Sequence, residues 1–95
     1  MCALDKMISC EIAFTPLGKP DYAADVDRVL HIIEASGMDF EVGAFATVVR
    51  GAKDGIFGLL RNIYDAMEAG SGFILDVKIS NVCGCGANSC KANKP

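Results

Sequence analysis

Three cysteines crowd the C-terminal end of the chain, as Cys83-Gly84-Cys85 and then Cys90, a C-x-C-x4-C spacing. Thiolates at this spacing can share one soft ion such as Zn²⁺ or Cu⁺. Structural zinc takes four ligands, and Cys2 is the candidate for the fourth if the last strand lies antiparallel beside the first. The alternative is a tail of free or oxidised thiols, because C-x-C is a weaker signal than paired C-x-x-C motifs. A second set of groups suits a small heteroaromatic molecule. Glu11 and Asp76 carry carboxylates that accept from an exocyclic amino group and, when protonated, donate to a ring nitrogen. Ser9 and Thr47 add hydroxyls, and Phe45 adds a ring face for stacking. Each has a plainer role as well: a Glu11–Lys78 salt bridge, a small Ser9 that lets sheets approach, β-branched strand filler at Thr47, and a core position for Phe45. His31 is the lone histidine and assembles no triad. Gly51-Ala52-Lys53-Asp54-Gly55 lacks the spacing of a phosphate loop.

The elements that must position these groups follow from periodicity. From Met7 to Phe14, apolar Ile8, Cys10, Ile12 and Phe14 alternate with Ser9, Glu11 and Ala13, the pattern of a half-buried strand. Prolines and a glycine then make a turn over 15–20. Asp21 is a good N-cap for a helix to Ser36, with Val26, Val29, Leu30 and Ile33 as its buried stripe and Gly37 as its terminator. Two strands joined near 43–45 fill Met38 to Gly51. Thr47 and Val49 share one face of the second, Val48 and Arg50 the other. Asp54 caps a second helix with Ile56, Phe57, Leu60, Ile63, Tyr64 and Met67 on one stripe, stopped by Gly70. Phe73 to Ser80 alternate again as a fourth strand. Residues 1–82 thus form one domain, and 83–95 a cysteine-bearing tail.

The order strand, helix, strand, strand, helix, strand predicts the ferredoxin-like α+β sandwich, an antiparallel sheet in the order 4-1-3-2 with both helices on one face. The uncovered face then shows Ser9, Glu11, Ala13, Ile74, Asp76, Lys78 and Ser80. It is either solvated or pressed against a second copy with a pocket between the sheets, giving a homodimer or homotetramer.

Nine Lys and Arg against twelve Asp and Glu leave a net charge of −3, which argues against nucleic acid and anionic membranes as partners. No apolar run is long enough for membrane insertion, and the first residues lack the order of a secretory signal, so the expected compartment is the cytoplasm.

The segments 8–18, 36–43 (Ser-Gly-Met-Asp-Phe-Glu-Val-Gly), 47–51 (Thr-Val-Val-Arg-Gly), 56–57 and 75–79 (Leu-Asp-Val-Lys-Ile) together resemble the YkoF-like, MTH-type thiamine-binding protein family. The likeness runs over about residues 7 to 81. It implies a ferredoxin-like domain that pairs through its sheets and binds thiamine, or its hydroxymethylpyrimidine part, in vitamin salvage or uptake, without catalysis. It also implies a hydroxyl residue at Thr47. Arg50 stands where the family usually carries an acid, which suits a neutral or anionic ligand better than a thiazolium. From another class, the rival reading is a thiol-based metal-binding or redox protein acting through the tail.

Overall fold

The computed structural model describes residues 7–18, 23–70 and 72–82. The elements are β1 (Met7–Pro16), α1 (Ala23–Ala35), β2 (Asp39–Val42), β3 (Thr47–Ala52), α2 (Lys53–Met67) and β4 (Phe73–Ser80). They form one antiparallel sheet in the order β2-β3-β1-β4. This is the ferredoxin-like arrangement that the periodicity predicts, with β1 and β3 central.

Alternation along β1 decides the layering. Ile8, Cys10 and Ile12 turn to the helices and join Val49, Val29, Ile33, Ile56, Leu59, Ile63 and Met67 in the core. Register partners share a face. Cys10 lies opposite Val49 and Ile79, and Ile12 opposite Thr47 and Val77, so these also face the helices. Ser9, Glu11, Ala13, Val48, Arg50, Asp76, Lys78 and Ser80 occupy the uncovered face.

Several local expectations are corrected. β1 runs on to Pro16, because Thr15 and Pro16 pair with Ile74 and Phe73. The last β1–β3 pair is Ile12 with Thr47, so the proline falls where β1 has a neighbour on one side only. The second strand of the middle pair starts at Thr47. Phe45 is not a core residue: it sits in the turn, 96% exposed. Asp54 is a first-turn acid of α2; the cap position is Ala52, with no side-chain cap, because β3 passes into the helix without a loop. Phe57 and Tyr64 leave the buried stripe of α2 and are half-exposed, their place taken by Leu59. Tyr64 meets Phe73 edge-on at 5.4 Å, and Phe73 lies 5.3 Å from Phe14. Asp21 lies outside the described residues. Gly37 ends α1 as expected, with φ of 76°. His31 is a surface residue, 4.0 Å from Asp27 on the same helix.

At Gly51, where β3 meets α2, an added side chain would meet Met38. A Cβ there would lie 3.0 Å from Met38 Cγ and closer still to its sulfur. Gly51→Ala is therefore expected to lower stability by about 1–3 kcal/mol, and Met38→Ala is expected to recover part of that loss. Urea denaturation of the two single variants and the double variant checks both.

Burial pushes the Cys10 thiol above its ordinary range. The folded thiol stays protonated where the unfolded one ionises. This contribution to stability is intact at neutral pH and is lost as pH rises past about 8.5–9. Denaturation of wild type and Cys10→Ala across that range measures it; the alanine variant should show the shallower fall.

Candidate functional site

The mismatch between β1 and β3 makes a cavity. β1 continues past Ile12, whereas the β2–β3 connection turns away after Thr47. The turn is closed by the Gly43 N–H donating to the Ala46 carbonyl at 2.8 Å. A Cβ on Gly43 would sit 2.9 Å from that same oxygen, so the turn requires glycine. Between this turn, the end of β1 and α1 lies a recess of about 160 Å³. Val26, Val29, Leu30 and Ile33 supply its helix wall; Ile12, Ala13 and Phe14 its strand wall; and residues 42–47 its rim.

Thr47 is the one polar side chain in that lining. It is 6% exposed, and its hydroxyl makes no hydrogen bond to another described residue. A buried hydroxyl without a partner costs about 1–3 kcal/mol. An apolar cavity of about 150 Å³ accommodates benzene. The recess therefore has about the volume that one six-membered ring occupies, with one polar side chain among its described lining able to orient it. Phe45, at the rim, is free to cover a ring lying there.

The remaining candidates lie on the other side of the sheet. Glu11, Asp76 and Lys78 border a second recess, of about 400 Å³, together with Ala13, Phe45, Ala46 and Val77. Ala13, Phe45 and Ala46 thus line both recesses, which adjoin at the gap where β3 has ended. Ser9 borders a third depression, of about 480 Å³, with Glu11, Val48, Lys78 and Ser80. Sequence reasoning grouped Ser9, Glu11, Phe45, Thr47 and Asp76 as one set. In the fold, Phe45 touches both sides, Thr47 faces the helices, and Ser9, Glu11 and Asp76 face away from them. The helix residues Val26 and Leu30 were read as core stripe only; their half-burial comes from the recess. No signal in the sequence marks it, because the recess depends on where β3 stops.

The uncovered face carries Glu11, Asp39, Glu41 and Asp76 against Arg50 and Lys78, four carboxylates to two cations. Arg50 donates to Asp39 at 3.3 Å, so its charge is paired within the sheet. Glu11 and Lys78 are register partners but form no ion pair. Cys2, Cys83, Cys85 and Cys90 lie outside the described residues. Among the described residues no cluster of His, Cys, Asp or Glu is placed to hold a metal, and no helix is long and apolar enough to cross a membrane.

Fold and recesses together define a ferredoxin-like domain with a ring-sized cavity at the edge of its sheet. The model of the YKOF-related family matches residues 7–85, and the chain belongs to that family. Among solved structures, it is similar to a protein of Thermotoga maritima whose proposed role is thiamine biosynthesis or salvage, with 24% identity, a TM-score of 0.74, and 82% of this chain and 86% of that one covered. A domain of unknown function from Bacillus cereus is similar at 23% identity and a TM-score of 0.73, covering 85% and 81%. An uncharacterised protein of Methanocaldococcus jannascii is similar at 19% identity and a TM-score of 0.73, covering 94% and 88%. None of the curated proteins matches the chain.

Thr47→Val removes a hydroxyl that has no partner among the described residues and keeps the shape. It is expected to leave the apo protein as stable as wild type or up to about 1 kcal/mol more stable. Thermal and urea denaturation of the ligand-free protein checks this; a loss of stability would mean that the hydroxyl is used by the fold.

Proposed function

We propose that this protein binds thiamine or its hydroxymethylpyrimidine part and holds it without transforming it, in salvage or transport of the vitamin. The observation that carries the reading is the buried Thr47 hydroxyl, without a hydrogen-bond partner among the described residues, in an apolar recess of about 160 Å³. An aminopyrimidine is a flat ring with nitrogen acceptors. Set in the recess, it receives a hydrogen bond from Thr47 and lies against Val26, Leu30 and the rim at Phe45. The charged part of thiamine is a thiazolium. It passes through the gap at Ala13 and Ala46 towards Glu11 and Asp76, on a face with more carboxylates than cations. The similarity to a Thermotoga protein with a proposed thiamine role supports the choice of ligand class. In this reading a second copy, laid sheet to sheet, closes the outer recess, since stacked sheets leave about 10 Å between them. A homodimer or homotetramer is the consequence.

Calorimetry with thiamine and with hydroxymethylpyrimidine tests the reading. Both ligands are expected to bind wild type. Thr47→Val should weaken both by up to roughly tenfold, one neutral hydrogen bond. Glu11→Gln combined with Asp76→Asn should weaken thiamine alone, by roughly two- to tenfold for exposed charge pairs. No heat with either ligand on clean apo protein would overturn the proposal.

A further inference from the structure

We propose that the free edge of β4 pairs with the same edge of a second copy of this chain, antiparallel about a two-fold axis at Val77, so that two four-stranded sheets become one. The two edges of the sheet differ. β2 is four residues long and carries Asp39 and Glu41, a short acidic edge of the kind that resists pairing. β4 is eight residues long, contains no proline or glycine, and keeps an unbroken register with β1 from Phe73 to Ser80. A bulge, a proline or a short length blunts an edge strand, and β4 has none of these. Ile79 shows the consequence. It stands in one row with Val49 and Cys10, which are buried, yet it is 42% exposed because no described strand lies beyond β4.

The residues of β4 select both the partner and the register. A two-fold axis between identical antiparallel strands sets one residue opposite itself and its neighbours opposite each other in reverse order. Centred on Val77, Asp76 of each copy stands opposite Lys78 of the other on the uncovered face, and Ile74 stands opposite Ser80. On the helix face Leu75 stands opposite Ile79, which gives the exposed Ile79 an apolar neighbour. Centring on Asp76 would oppose two carboxylates, and centring on Lys78 two ammonium groups. Opposite charges at directly facing positions stabilise a sheet, and like charges destabilise it. Centring on Leu75 leaves Lys78, Ile79 and Ser80 without strand partners, and centring on Ile79 leaves Phe73 to Val77 without them. Val77 is the centre that matches the charges and keeps Ile74 to Ser80 paired. Asp76 and Lys78 make no ion pair or hydrogen bond with other described residues, so both are free to meet a second copy. α2 widens the contact on the helix side. Tyr64 meets the Phe73 ring of β4 edge-on at 5.4 Å, Phe57 lies two turns before Tyr64 on the same helix face, and both are half-exposed. The pairing does not rest on the vitamin reading, because it uses the edge of β4 and no residue of the inner recess.

The test is sedimentation velocity of the full chain and of two charge reversals, Asp76→Lys and Lys78→Asp. Wild type is expected to associate through this edge. Each reversal sets like charges opposite each other at both ends of the pairing and should weaken association at least about tenfold. Mixed one to one, the two variants are complementary at every charged position of the strand and should associate as strongly as wild type. Both positions are exposed, so each variant should keep the far-ultraviolet circular dichroism of wild type. Amide hydrogen exchange separates this edge from sheet-to-sheet stacking. Edge pairing protects both alternating sets of β4 amides; without it, only the set that bonds to β1 is protected. A wild type that stays monomeric at high micromolar concentration would overturn the proposal. So would reversals that associate like wild type, a mixture no stronger than its components, or outward β4 amides that exchange freely in the wild-type assembly.

Discussion

The central constraint is that β1 outruns β3. The two strands part after Ile12 and Thr47, yet β1 stays paired to β4 as far as Pro16. A sheet whose centre strands ended together would present a closed edge, filled by side chains from both. Here the layer has a notch, with α1 on one side and solvent on the other. Its walls are small or apolar: Ala13, Ala44 and Ala46 beside Val26 and Leu30. Packing elsewhere is tight, with Ile56, Ile63 and Val49 almost wholly excluded from solvent. The notch is a local feature of strand length, not a general looseness of the core.

That geometry gives the two faces of the sheet different surroundings. On the helix side, one hydroxyl stands among apolar walls, a setting that orients a neutral ring. On the uncovered side, carboxylates outnumber cations, and the Arg50 charge is engaged by Asp39. In the proposed reading, the flat neutral ring of the ligand takes the inner recess and its cationic end the carboxylate-rich face. A single-ring anion would find no cationic side chain in the inner recess, where Thr47 is the one polar side chain among the described lining residues.

Much of this was legible in the sequence. Period-two alternation at Ile8, Cys10 and Ile12, and the helical spacing of Val29 and Ile33, gave the layers and the strand order, because burial of one face is what these patterns encode. Ser9, Glu11 and Asp76 fell on the expected side for the same reason. Thr47 and Phe45 were harder. Whether Thr47 faces in or out depends on where β3 begins, and a run of Phe45, Thr47, Val48 and Val49 has no polar alternation to set the phase. The structure starts the strand at Thr47, puts it opposite Ile12, and leaves Phe45 in the turn. The helix cap at Ala52 was also hidden: Asp54 has the right chemistry for a cap, but β3 enters α2 directly.

The most direct measurement follows the methyl groups of the protein by nuclear magnetic resonance as hydroxymethylpyrimidine is added. The account predicts that the Thr47, Ala46, Val26 and Leu30 methyls shift together and saturate together, while Val48 and Ile79 beside Ser9 stay in place. Shifts confined to Val48 and Ile79, or none at Thr47 at saturating ligand, would contradict it.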